Sequence, residues 1–154
     1  MSLFMRKGKS KFYFVPSIAA PATPTQAELT AGTQLTSALA GFTGFDAKAQ
    51  FIDAPNFGAV QTPKIPGEIQ SSDSSLEFNE DDTSNPLRTT LARGTVGYIL
   101  VSPNGATIST SKVDVFPIQV AANTRNYDSG NAVAKYTVDV AITSIPSSDA
   151  VMGA

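Results

Sequence analysis

The chain has 154 residues, of which 42% are hydrophobic and 16% are charged, and its formal net charge is −2. It is long enough for one domain with a hydrophobic core, and its charge argues against a surface that grips DNA, which needs clustered Lys and Arg. The absence of Cys, His and Trp excludes disulfides, zinc sites built from Cys or His, and Ser-His-Asp catalysis.

The N-terminus is the most basic part of the chain. It carries four basic side chains in eleven positions: Arg6, Lys7, Lys9 and Lys11. Four apolar residues follow, but Pro16 ends this run well short of the apolar core of a signal peptide. We therefore predict a soluble intracellular protein with a basic N-terminal arm over residues 1–11. Few aromatic residues accompany the charges, which favours a solvated arm, or one that contacts an acidic neighbouring subunit, over an arm that binds nucleic acid.

The first half of the chain gives weaker structural signals. A capping-box pattern at Thr23, Pro24 and Gln26 predicts a helix that stops at Gly32. Residues 35–39 fit a helix and a strand equally well. The stretch 54–67 contains three prolines and several apolar residues, which predicts a long loop that reaches another surface. The strand candidates in this half are residues 11–19, 50–53, 68–71 and 74–79.

A short flanking helix is predicted at residues 85–93. Asn85 and Pro86 suit its first positions, Leu87 and Leu91 share one face, and Gly94 ends it. The acidic residues just upstream suit the positive end of a helix dipole.

Alternation of apolar and polar residues dominates the second half. It predicts half-buried antiparallel strands at residues 94–101, 112–120 and 136–143. An Asn-Gly turn at 104–105 joins the first two strands. Together with the earlier candidates, these strands indicate a mainly β fold, either a sandwich or a barrel. The small polar residues at 147–154 predict a flexible C-terminal tail.

Four polar groupings are candidates for chemical sites. The acidic run at 77–82 lacks the spacing of a calcium loop, and residues 94–97 lack the Lys of a phosphate-binding loop. Residues 109–112 contain a Ser-Lys pair, but they suit a polar connection. Glu77 opposite Asp114 or Asp139 would give a glycosidase its two carboxylates, but nothing in the sequence positions them. We therefore predict no catalytic, cofactor-binding or metal-binding residue, and a protein that is not an enzyme.

The order and spacing of several segments carry a family resemblance. The segments 74–81 and 85–99 are followed by a Lys-x-Asp-Val-Phe-Pro strand at 112–117 and by Gly-Asn-x-x-Ala-Lys at 130–135. The segment Ala-Glu-Leu-x-Ala-Gly-Thr-x-Leu-Thr precedes them at 27–36. Over residues 27–146 the chain thereby resembles the major tail tube proteins of long-tailed, siphovirus-type bacteriophages.

This resemblance implies a single tail tube domain over residues 1–154, with a β-sandwich flanked by one short helix at about 85–93. It implies that the chain forms hexameric rings, that the rings stack into a tube, and that strands of all six subunits close one inner β-barrel. Phage DNA would pass through the lumen without specific binding, between polar or acidic strand faces that include Asp114 and Asp139.

The resemblance further implies tape measure, tail terminator and tail tip proteins as partners, no membrane partner, assembly in the host cytoplasm and a place in the virion tail. The loop at 54–67 and both termini are the expected contacts between rings. The alternative function is that of a small β-sandwich binding module that recognises a carbohydrate or a cell-surface partner.

Overall fold

The computed structural model describes residues 1, 3–105 and 112–153. These residues form ten β-strands and two short α-helices, which confirms the prediction of a mainly β fold. In chain order the elements are β1 (Lys11–Val15), α1 (Gln26–Ala31), β2 (Thr33–Gln34), β3 (Leu39–Thr43), β4 (Ala47–Asp53), β5 (Lys64–Ser71), β6 (Ser74–Asn79), α2 (Pro86–Thr90), β7 (Val96–Ser102), β8 (Lys112–Asn126), β9 (Lys135–Ile142) and β10 (Ser147–Val151).

Eight of the strands form one antiparallel sheet in the order β2-β1-β7-β8-β9-β6-β3, with β10 also paired to β8. The long strand β8 connects the two parts of this sheet. Its N-terminal part pairs with β7 and β10, its C-terminal part pairs with β9, and the register shifts between Val120 and Ala122. We call β2, β1, β7, β10 and the N-terminal part of β8 the β1 layer. We call the C-terminal part of β8 together with β9, β6 and β3 the β9 layer.

The two layers pack face to face over the main hydrophobic core. Phe45, which follows β3, packs edge-on against Phe116 of β8 with ring centroids 5.4 Å apart. Most of the core side chains come from alternate positions of five strands: Phe12, Phe14, Leu76, Phe78, Ile99, Val101, Phe116, Ile118, Tyr136, Val138 and Val140. This alternation is the pattern expected of strands with one buried face.

A second apolar cluster covers the other face of the β1 layer. It comprises Val15, Ile18, Leu100, Val113, Val115, Ala150 and Met152. The β1 layer is therefore buried on both faces, which explains why the consecutive residues Ile99, Leu100 and Val101 of β7 are all buried.

Both helices differ in detail from the sequence prediction. Helix α1 is capped by Thr25 rather than Thr23, because Thr25 accepts a bond from the Glu28 N–H while Glu28 accepts from the Thr25 N–H. Helix α2 spans only Pro86–Thr90 instead of 85–93. Asn85 makes no side-chain cap, since its amide bonds to the backbone N–H and C=O of Asp81.

Three predicted boundaries also change. The loop at 54–67 is shorter, because its last residues pair with β4 as the start of β5, and only residues 54–63 remain outside the strands. The tail at 147–154 was predicted to be flexible, but β10 pairs with β8 and buries Ala150. The arm at 1–11 ends earlier, since Ser10 is buried and bonds to the carbonyl of Pro103 at 2.6 Å.

The segment 35–39, whose apolar pattern fits a helix and a strand equally well, forms neither one helix nor one strand. Leu35 is fully buried between β2 and the start of β3. The Ser-Lys pair considered at 109–112 lies outside the described residues except for Lys112. Within the described residues, no helix is long and apolar enough to cross a membrane.

Candidate assembly interface

The β9 layer presents a polar face on the side opposite its core. Cross-strand bonds connect neighbouring side chains on this face: Thr43 and Ser75 hydroxyls lie 2.6 Å apart, and the Lys135 ammonium lies 3.0 Å from Glu77. The strand register places the following residues on it: Thr43, Ser75, Glu77, Thr124, Lys135, Thr137 and Asp139. The opposite faces of β6 and β9 are occupied by the chain's own core, so the polar face is the one that the β9 layer offers to its surroundings.

The two aspartates predicted for a lumen lie on different surfaces. Asp139 is exposed on the polar face, opposite Ser75 of β6. Asp114 instead lines a cavity of about 200 Å³ with Phe12 and Phe116, and its carboxylate accepts a bond from the Asp149 N–H at 3.0 Å. The two aspartates do not share one surface of the chain, because Asp114 belongs to the half of β8 in the β1 layer and Asp139 belongs to the β9 layer.

The outer edge of β8 carries backbone groups that no strand of the described residues pairs with. The N–H of Glu80 donates to the carbonyl of Ala134, so these two residues form a hydrogen-bonded pair at the end of the β6–β9 ladder. Since bonded and non-bonded pairs alternate along the ladder, the backbone groups of Thr137 in β9 point to β8 rather than to β6. Thr124 of β8 lies opposite Thr137, so Thr124 directs its own backbone groups to β9. Asn123 and Arg125 therefore direct theirs away from β9, and beyond Val120 the described residues supply no second strand to receive them.

The other edge of the β9 layer is β3. Gly41 and Thr43 lie opposite Glu77 and Ser75 of β6, so their backbone groups point to β6 and those of Phe42 point outwards. In the described residues, β3 pairs with β6 alone. The β9 layer is thus a four-stranded sheet with an unpaired strand edge on each side.

Helix α2 supports the β8 edge from the core side. The Asn123 side-chain amide donates to the carbonyl of Leu91 at 3.0 Å and to that of Arg88 at 3.4 Å. Arg125 forms an ion pair with Glu80, and this hydrogen bond raises the pKa of the arginine above its usual value. These contacts hold the outer end of β8 in place.

The hairpin of β4 and β5 projects from the β9 layer. Its strands continue β3 and β6 beyond a sharp joint, and its tip carries two fully exposed apolar residues, Phe57 and Val60. Four large apolar residues along its strands, namely Phe51, Ile52, Ile65 and Ile69, are between 49% and 66% exposed.

The joint between layer and hairpin is built from specific backbone conformations. Gly44 and Phe45 both have positive φ angles, 81° and 58°. The Ser74 hydroxyl accepts a bond from the Phe45 N–H at 3.0 Å. Asp46 accepts a bond from the Ser72 N–H, and the hydrogen bonds from Ser72 followed by that from Lys48 lower the pKa of its carboxyl group. These bonds fix the direction in which the hairpin leaves the sheet.

The acidic run at 77–82 is explained by local structure. Asp81 accepts bonds from the backbone N–H groups of Thr83 and Ser84, which lower the pKa of its carboxyl group. Glu77 and Glu80 are paired with Lys135 and Arg125. Within the described residues, no group of three or more acidic side chains could hold a metal ion.

Comparison with known protein families matches residues 1–154 to the family described as phage tail tube protein. The chain belongs to the phage tail tube protein family. It is accordingly a structural component of the tail tube of the virion, not an enzyme. A search of curated proteins returns no match.

Solved structures with a similar fold include chains from an anti-feeding prophage and from an extracellular contractile injection system. A chain of the anti-feeding prophage baseplate, in a cryo-EM structure described as six-fold symmetrised, aligns with a TM-score of 0.63 and 11% identity over 94% of this chain and 95% of that one. A chain from the PVC sheath/tube terminator structure aligns with a TM-score of 0.64 and 11% identity over 90% and 92% of the two chains. At this identity the likeness concerns the fold.

The sequence located several strands of the tail tube protein but not the strand edges of the β9 layer. The pattern of apolar residues on β6 and β9 predicted which face is buried. The sequence gives no signal for the edge positions of β3 and β8, because whether a strand lies at an edge depends on the positions of the other strands and not on its own residues. The repeated apolar residues at 51–52 and 65–69 were the available signal for the hairpin.

Proposed function

We propose that this tail tube protein forms rings in which the β3 edge of each subunit pairs with the C-terminal part of β8 in the next. The observation that carries this proposal is the β9 layer, a four-stranded sheet with one polar face and with an edge on each side that no other described strand pairs with. An exposed edge is a template for pairing with another chain, and closure into a barrel removes it.

The strand directions suit a ring. β3 is antiparallel to β6, β6 to β9 and β9 to β8, so β3 and β8 run in opposite directions within a subunit. Rotation about a ring axis keeps these directions, and the two edges of neighbouring subunits therefore meet as an antiparallel pair. Phe42 on one edge and Asn123 and Arg125 on the other supply outward backbone groups.

Six subunits per ring is the number we propose. It is supported by the resemblance to siphovirus-type tail tube proteins and by the six-fold symmetrised description of the anti-feeding prophage structure. In such a ring the polar face of the β9 layer lines the lumen, because the chain's own core occupies the other face.

This lining suits passage of DNA into the host cell. Glu77 and Asp139 outnumber the single cation, Lys135, among the charged residues of the polar face. A lumen without an excess of lysine and arginine holds phosphates weakly, because such binding requires basic groups that displace counterions. The genome can then move through the tube without specific binding.

Rings stack into a tube, with the hairpin, its tip at residues 54–63 and the chain termini as contacts between rings. The tape measure, tail terminator and tail tip proteins are the proposed partners, and assembly takes place in the host cytoplasm. A binding module that recognises a carbohydrate or a cell-surface partner is the alternative, and the two differ in solution state.

Negative-stain microscopy of the purified protein at rising concentration tests the proposal. The parent chain should form rings or tubes, whereas a persistent monomer would contradict ring formation and favour the binding module. Arg125→Pro removes an outward N–H from the β8 edge, and proline is tolerated at such positions. This variant should stay folded yet form no rings.

Arg125→Ala is the matched control for the proline variant. It loses the exposed ion pair with Glu80, which contributes about 0–1 kcal/mol, but it retains the backbone N–H. It should therefore assemble like the parent. Rings formed equally well by Arg125→Pro would show that β8 is not the paired edge.

A further inference from the structure

An aromatic cavity with one carboxylate in its lining lies beside the β3 edge. We call it the Asp114 cavity, and four phenylalanine rings line it: Phe12, Phe42, Phe45 and Phe116. Asp114 points to this side of β8 because its neighbours Val113 and Val115 point into the second apolar cluster on the other side. The cavity has a volume of about 200 Å³, and Gly44, just beyond the end of β3, borders it.

The Asp114 carboxylate has no cationic partner in the part of the chain that the structure describes. One of its oxygens accepts the bond from the Asp149 N–H, and the ion pairs of the described residues involve other acids. Arg6 also borders the cavity but belongs to none of these ion pairs. A half-buried carboxylate beside aromatic rings suits a guanidinium group, because arginine pairs with carboxylates and stacks on aromatic faces.

Arg93 is an exposed cation at the point where β8 changes partner. It follows helix α2 and, like Asp114, belongs to no ion pair among the described residues. The Gly94 N–H donates to the Val120 carbonyl, and the Val120 N–H donates to the Thr95 carbonyl. The chain that leads into β7 therefore occupies the outer edge of β8 as far as Val120, and the free edge comprises residues 121–126.

The proposed ring brings Arg93 of one subunit to the Asp114 cavity of the next. The five residues of β3 match the free edge at 121–126 in length. Because β3 and β8 pair in opposite directions, the C-terminal end of β3 reaches the end of the free edge nearest Val120. Arg93 of one subunit then lies in line with Gly44 of the next. Helix α2 and the Asp114 cavity both lie on the core side of the β9 layer.

We propose that Arg93 of each subunit inserts its guanidinium group into the Asp114 cavity of the neighbouring subunit and pairs with the Asp114 carboxylate. This inference rests on the proposed ring and adds a charge pair that fixes how the subunits dock. The occupant is a second copy because the two groups have opposite charge and the β3–β8 pairing places them side by side. Asp73 also adjoins Gly44, but it lines the cleft on the polar face together with Asp139, on the other side of the sheet.

Charge reversal at each position tests the pair. Arg93→Asp and Asp114→Arg each place like charges together at every interface between identical subunits. Each variant alone should therefore form at least about tenfold fewer rings, counted by negative-stain microscopy. An equimolar mixture should form rings like the parent, because subunits that alternate around the ring have opposite charges at every interface. Circular dichroism and thermal melts of the separate variants establish that both are folded.

Asp73→Arg is the matched control, since it makes the same charge change next to Gly44 but on the polar face. It should form rings on its own, and its mixture with Arg93→Asp should stay impaired. Rings formed by either Arg93→Asp or Asp114→Arg alone at the parent's level would overturn the pair, as would two folded variants whose mixture forms no rings. If the parent itself formed no rings, the proposed function would fail, which is a different result.

Cross-linking tests the same contact without any change at Asp114, and it decides the matter if Asp114→Arg does not fold. The chain has no native cysteine, so Arg93→Cys can be labelled with a thiol-reactive photo-cross-linker and assembled with an excess of isotopically labelled parent protein. The cross-links should join different copies and map to the peptides that line the Asp114 cavity. Cross-links confined to one chain, or directed to other surfaces, would overturn the inference.

Discussion

Phe12 of β1 and Phe42 of β3 pack against each other with ring centroids 4.8 Å apart, although four strands separate β1 from β3 in the sheet order. The contact closes the open side of the sandwich, where backbone pairing between the two layers is absent among the described residues. Phe12 is 4% exposed and Phe42 is 48% exposed, so the two rings contribute unequally to the core.

This asymmetry predicts unequal effects of truncation. Phe12→Ala removes a buried aromatic ring and should reduce the free energy of unfolding by about 3–5 kcal/mol. Phe42→Ala loses mainly the aromatic pair contact and should cost about 1 kcal/mol. Urea unfolding monitored by circular dichroism measures both values, and equal losses would show that the two rings contribute equally to the core.

Gly44 is predicted to be intolerant of a side chain. Its φ is 81°, and a Cβ there would come within 2.5 Å of the Asp73 carbonyl oxygen. Gly44→Ala should therefore destabilise the fold by more than about 1 kcal/mol. Gly41→Ala is the control, because a Cβ added to Gly41 would meet no atom within 4 Å, and thermal melts should show no loss for it.

Asn123 is predicted to link helix α2 to the β8 edge. Asn123→Ala removes the donor to the carbonyls of Leu91 and Arg88 and should cost about 1–2 kcal/mol. Asn126→Ala removes one exposed bond, to the Thr137 hydroxyl, and should cost less than about 1 kcal/mol. Hydrogen exchange of the α2 amides should rise in the first variant only, and protection kept in both would argue against this link.

Much of the fold could be predicted from the sequence because its strands follow simple burial rules. The segment 74–79 was predicted with the bounds that β6 has, and the predicted segment 136–143 is one residue out of step with β9. Leu87 and Leu91 were predicted on one helix face, and both are buried although Leu91 lies just past the helix. These signals are local, since each depends on a few neighbouring side chains.

The missed features depend on partners distant in sequence. β10 consists mostly of small polar residues, and its strand conformation comes from pairing with β8. The start of β5 contains Pro66 and Gly67, which are typical of loops, and pairing with β4 makes it a strand. The sequence did not separate the surroundings of Asp114 from those of Asp139, because nothing local indicates that β8 passes from one layer to the other.

Asp46 is predicted to make the hairpin joint sensitive to acid. Its folded pKa lies below the ordinary value of 3.8, chiefly because of hydrogen bonds from Ser72. The ionised carboxylate therefore contributes stability above pH 3.8, and this contribution is lost as the pH falls through the folded pKa. The stability difference between the parent and Asp46→Asn should be constant at neutral pH and shrink below pH 3.8. Thermal melts from pH 7 to pH 2 measure it, and a constant difference would show that Asp46 does not titrate in this way.

The sharing of β8 between the two layers has a mechanical consequence. One continuous backbone runs from the core of the β1 layer to the outer edge of the β9 layer, and it is hydrogen-bonded on both sides of the crossing point. The layers therefore cannot shear past each other without breaking the strand pairs of β8. In a tube built from this chain, a force applied to the inner wall would be transmitted to the outer wall through the covalent backbone of β8. The inner and outer walls would therefore deform together.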